Sequence, residues 1–67
     1  MKLDSTLIDS AEYDEEKQEL TLTFATNGKS YVYIDVPPAK WEGLKSAKSA
    51  GKFFHAHLKS HSSRPGK

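Results

Sequence analysis

The chain has 67 residues, no cysteine and a formal net charge of +1. That length is one domain with a marginal core, and without thiols neither a disulfide staple nor a thiolate metal site can be built. The first residues lack the charged-then-apolar pattern of a secretory leader, and no apolar run approaches the ~20 residues that span a bilayer. A cytoplasmic protein without a membrane role is therefore expected, with homo-oligomer formation as the extra source of stability for so small a core.

Along the chain, Leu7 to Tyr13 is a modest strand candidate, weakened by Asp9 and Ser10, and Asp14-Glu15-Glu16-Lys17 is a polar turn. Residues 18–26 alternate cleanly: Leu20, Leu22 and Phe24 point one way, Glu19, Thr21, Thr23 and Ala25 the other. A period of two marks a half-buried strand. Asn27-Gly28 is the preferred pair for a two-residue type I′ hairpin turn, where both residues take positive φ. Residues 29–36 make the return strand, with Val32, Ile34 and Val36 on one face and Tyr31, Tyr33 and Asp35 on the other. Three aliphatics against two tyrosines favour the aliphatic face inside and the tyrosines outward.

Pro37-Pro38 ends the sheet, because proline cannot donate to a ladder, and suits the first turn of a helix. Trp41 and Leu44, three apart, share one face of a helix over 38–46. Ser46 to Gly51 breaks the pattern, and Ser49 reads as the N-cap of a second helix over 50–60. Phe54 and Leu58, one turn apart, point inward there, with Phe53 at the edge of the stripe. Ser60 to Lys67 has no apolar anchor, so residues 61–67 read as a flexible tail behind a single domain of residues 1–60. The expected fold class is α+β: a three-stranded antiparallel β-meander followed by two short C-terminal helices packed on one face. Leu20, Leu22, Phe24, Trp41, Leu44, Phe54 and Leu58 would supply much of the core.

These residues have a family likeness. Tyr31-Val32-Tyr33, then Val36-Pro37, then Ser49-x-Gly51-Lys52-Phe53-Phe54 resembles the pattern of the KTSC domain, a short bacterial and phage domain. Ser5-Thr6-x-Ile8 and Tyr13-Asp14 match its opening, and Leu20-x-Leu22-x-Phe24 its second strand. The likeness covers about residues 4–59 and rests on order and spacing rather than on one motif. The family also occurs at the C-terminus of some lysyl-tRNA synthetases, which implies RNA binding by context; the lysyl-tRNA association itself is not expected to carry over to these residues. Two positions depart from the pattern: Glu12 stands where glycine is frequent and His55 where asparagine is frequent.

Charge divides unevenly. Residues 1–35 hold three basic side chains against eight acidic ones, and residues 36–67 hold seven against Glu42 alone. The chain thus has an acidic part and a basic part, suited to mutual attraction or to an anionic partner. The start of the second helix is the first candidate site. Unpaired N–H groups there favour anions, Ser49 offers a hydroxyl, Gly51 allows close approach, and Lys48 and Lys52 add charge. Lys52, His55 and Lys59, spaced three and four apart, would form a basic face for phosphates. A capped helix with solvated lysines accounts for the same residues. Tyr31 and Tyr33 are the second candidate, since two outward aromatics at i and i+2 can stack two bases; packing in an interface is the competing account.

His57 and His61 have a chelating spacing, but no carboxylate or cysteine lies nearby in sequence, so no metal and no cofactor are expected. No nucleophile elbow, zincin motif or phosphate-binding loop appears, so no catalytic residue is assigned. The sequence therefore points to a binding protein rather than an enzyme, with RNA or a small nucleotide as ligand. A protein-interaction or self-assembly module is the alternative.

Overall fold

A computed structural model gives the fold of this protein and describes Leu3 and residues 6–66. Ser5 and Lys67, which the sequence reading placed in the opening motif and the tail, lie outside the described residues. Four strands, β1 (Ile8–Asp14), β2 (Glu19–Phe24), β3 (Ser30–Tyr33) and β4 (Ser63–Pro65), form one antiparallel sheet in that order. Helix α1 (Pro38–Ser46) and α2 (Ala50–Phe53), the latter running on into a π-helical turn over Phe54–Leu58, supply the second layer. The α+β class, the three-strand meander and the two helices follow the sequence.

Register explains which side chains are inside. On β1 the alternation is broken between Ile8 and Ser10 by a bulge, at the Asp9-Ser10 pair that weakened the strand in sequence. The extra residue turns Ile8 inward together with Ala11, three positions on. On β2, Leu20 and Leu22 are fully buried, and β3 pairs Leu20 with Tyr33 and Leu22 with Tyr31. Residues directly opposite share a face, so the tyrosines lie on the helix side of the sheet and Val32 on the outer side. The outward placement of Tyr31 and Tyr33 is thus corrected. Val36 is buried as expected, but only because Asp35, at φ 58°, breaks the strand and resets the alternation.

The β2–β3 turn also differs from the two-residue type I′ form. The Phe24 N–H donates to the Lys29 carbonyl and the Gly28 N–H donates back to the Phe24 carbonyl, each at 2.9 Å, which closes a four-residue loop. Gly28, at φ 69°, takes the left-handed position alone, and the Asn27 side chain accepts from the Lys29 N–H instead. Side-chain capping of its own backbone lets asparagine serve such a loop without positive φ.

The helices cover the inner face of the sheet. Leu44 of α1 and Ala50, Phe54 and Leu58 of the second helix are buried. Phe54 meets both Phe24 and Tyr33 edge-to-face at 5.5 Å. Trp41 is half-buried rather than central, stacked on Tyr13 at 5.6 Å with the Lys45 ammonium above it. The helices approach closely at Gly43: a Cβ there would lie 2.8 Å from the Phe53 ring.

The flexible tail expected over 61–67 is corrected for its inner part. Residues 63–65 pair with β3, the Ile34 N–H donates to the Ser62 carbonyl, and the Gly66 N–H donates to the Ser30 carbonyl. Backbone pairing and an ion pair replace the missing apolar anchor, since Arg64 grips Glu19 through two N–H donors at 3.0 and 3.3 Å. A three-residue edge strand carrying arginine and proline is a form that resists further pairing. No helix among the described residues is long and apolar enough to cross a membrane.

Candidate functional site

The second helix starts where the sequence placed it. Ser49 has extended backbone (φ −132°), and its hydroxyl accepts from the Lys52 N–H at 3.3 Å. Its carbonyl accepts from the Phe53 N–H, so the first turn is partly satisfied from within. Gly51 does not open onto solvent as a phosphate cradle would. A Cβ on it would touch the Leu7 side chain at 3.4 Å, so its bare face is packing surface.

The basic flank, in contrast, is accessible. Ala50, Phe54 and Leu58 take the inward positions, which leaves Lys52, His55 and Lys59 exposed along the helix, with Lys48 and Ser49 exposed just before it. Among the described residues the ion pairs are Lys45–Glu42 and Arg64–Glu19, and neither draws on a cation of this flank. Among the described residues, no carboxylate is ion-paired with this flank.

Tyr33 is only 7% exposed, and its ring packs on Phe54. Burial, then the neighbouring Tyr31, pushes its phenol above the usual tyrosine value. It cannot stack a base, and that assignment is withdrawn. Tyr31 is half-buried, edge-on to Phe24 at 6.0 Å. It forms a wall of an open concavity of about 330 Å³, whose other residues are Gly28, Lys29, Ser30 and Pro65. The rings Tyr31, Phe24, Phe54 and His55 touch in succession at 6.0, 5.5 and 5.5 Å. The concavity and the basic flank are therefore joined through the Phe24–Phe54 pair.

The structure also shows why the histidines do not gather. His57 lies against the Phe53 ring at 4.6 Å. His61 is held between elements: Nδ1 lies 3.1 Å from the Ile34 carbonyl and Nε2 lies 2.7 Å from the Lys40 ammonium. A carbonyl can only accept and an ammonium can only donate, so Nδ1 carries the hydrogen and Nε2 accepts. No cluster of three His, Cys, Asp or Glu able to hold a metal occurs among the described residues.

Lys29 and Pro65 were not found from sequence. Lys29 was read only as the start of the return strand, and Pro65 joins the site only because β4 forms. Proline in an otherwise polar tail was the available signal, since an edge strand tolerates a residue with no N–H to give.

A compact α+β domain with this topology has known relatives. The KTSC domain family model matches residues 4–61, and the chain belongs to that family. A protein from Tsukamurella paurometabola is 39% identical over 57 residues, which cover 85% of this chain and 84% of that one. The crystal structure of a KTSC domain protein from Yersinia pestis superposes with a TM-score of 0.92 at 30% identity, covering 97% of this chain and 92% of the other.

Proposed function

We propose that this KTSC domain is a non-catalytic cytoplasmic binding protein for a phosphate-bearing ligand, either single-stranded RNA or a nucleotide. The observation that carries the reading is the exposed flank Lys52, His55 and Lys59, extended by Lys48 and unpaired with acid among the described residues. Phosphates meet these side chains rather than the glycine of the helix start, which leans on Leu7. The Tyr31 concavity, linked to His55 through the Phe24–Phe54 ring pair, offers an aromatic wall. The test is fluorescence anisotropy of a labelled oligouridine at low salt, against the wild-type chain and the Lys52→Ala/Lys59→Ala variant. The variant should bind at least several-fold more weakly. No anisotropy change with wild-type protein, even near millimolar concentration, removes the reading.

Self-assembly is a second reading, favoured by where the charges lie. Asp14, Glu15 and Glu16 are exposed at the C-terminal end of β1, whereas the helix start packs on Leu7, beside its N-terminal end. Opposite charges at opposite ends suit head-to-tail association. Sedimentation that stays monomeric at low ionic strength would dismiss it.

A further inference from the structure

We propose that the concavity between the β2–β3 loop and β4 seats one unpaired base, or a planar ring of like size, belonging to the phosphate-bearing ligand; the proposal rests on the preceding reading of the basic flank. Three features of the place support it. Tyr31 and Pro65 are direct partners across β3 and β4, so their rings project to the same, helix-covered side of the sheet. The second helix ends its cover at Phe24 and Tyr33, which Phe54 contacts, and leaves Tyr31 half open. Finally, β4 stops after three residues, with Gly66 folded against Ser30, so among the described residues no larger side chain fills the corner.

The lining has the chemistry of a ring slot. Tyr31 and Pro65 give two flat apolar surfaces, and Gly28 and Ser30 bring backbone close to the opening. Lys29, exposed at the mouth, adds the cation that a nucleotide needs and a neutral aromatic does not. A volume of about 330 Å³ lies at the small end of the range for ligand sites. Base stacking on an aromatic side chain tolerates any base, so the slot selects an unpaired ring rather than a sequence. The succession Tyr31–Phe24–Phe54–His55 links the slot to the flank through three ring contacts.

Amide NMR of the whole chain tests this with three probes: adenosine, ribose 5-phosphate and adenosine 5′-monophosphate. Adenosine should move the amides of Gly28, Lys29, Ser30 and Tyr31, and ribose 5-phosphate should move those around Lys52, His55 and Lys59. The monophosphate should move both sets and bind more tightly than either part. Tyr31→Ala should weaken the adenosine response at least about tenfold. Should that variant unfold, Lys29→Glu, at an exposed site, should weaken the monophosphate several-fold more than it weakens adenosine. If adenosine moves no amide of the concavity while ribose 5-phosphate moves the flank, the base slot is wrong and the phosphate reading survives. If the flank stays silent to both phosphates while adenosine moves the concavity, the phosphate reading fails and a ring site remains.

Discussion

Single side chains hold together the parts of this fold that have little core. Lys40 is the clearest case. Its ammonium donates to the His57 carbonyl at 2.9 Å and to His61, whose other ring nitrogen donates to the Ile34 carbonyl. Helix α1, the π-helical turn and the exit of β3 are joined by one lysine and one histidine. Lys40→Met keeps the stem but removes the donors. It should cost about 1 kcal/mol, since charge-assisted bonds of this kind lose part of their worth where water reaches them. Amide exchange at Ile34, whose N–H donates to Ser62, should accelerate; an unchanged rate would mean that β4 stays docked without the clamp. Two tyrosines, the buried Tyr33 and the half-buried Tyr13, give a second expectation. Tyr33 is raised by burial and then by Tyr31, and Tyr13 by burial and then by Glu15 and Asp14. Tyr13 also donates its hydroxyl to the Val36 carbonyl at 2.7 Å, which needs the protonated phenol. A phenol raised in the folded state stabilises the fold fully below its ordinary value of 10.0. That contribution is lost as pH climbs through the folded value. Melting temperature should therefore fall above about pH 10, and Tyr33→Phe should flatten the decline.

At the scale of elements, much is legible in the sequence. The polar turn at Asp14–Lys17, the start of α1 at Pro38 and the Ser49 cap were readable because each depends on local chemistry. The facing of β3 was also readable, but from a different signal. With a two-residue or a four-residue loop, an even-numbered residue on β2 faces an odd-numbered one on β3, which sends Tyr31 and Tyr33 to the side of Leu22 and Leu20. Hydrophobic tally misled where register would have decided. Strand β4 was not legible, because its hold comes from backbone pairing, Arg64 and the distant Lys40–His61 contact rather than from its own composition. The basic flank of the site was readable from spacing on one helix, whereas its Lys29–Tyr31–Pro65 corner needed the tertiary fold. The two helices offer a test of packing. Gly43→Ala gains helix propensity of about 1 kcal/mol but meets the tip of the Phe53 ring at 2.8 Å. In the wild-type background the two effects should nearly cancel. In a Phe53→Ala background the same change should stabilise by about 0.5–1 kcal/mol in urea unfolding. Equal effects in both backgrounds would show that the Phe53 ring moves aside at no cost.

For the whole molecule, charge distribution ties fold to function. The acidic residues lie mainly in the first half of the sequence and the basic ones in the second. Among the described residues the ion pairs are made by Arg64 and Lys45, while Lys52, His55 and Lys59 remain exposed on the second helix. The π-helical turn over Phe54–Leu58 keeps Phe54 and Leu58 on the core, and the exposed side of the helix carries its cations to solvent. The most direct test of the account is the salt dependence of oligouridine binding between 50 and 200 mM, measured for the wild-type chain and for Lys52→Ala/Lys59→Ala. Each phosphate contact on a single strand contributes ~0.7 to the slope of log K against log salt, so the double variant should be shallower by about 1.4. Parallel slopes, or wild-type binding indifferent to salt, would contradict phosphate recognition by this helix.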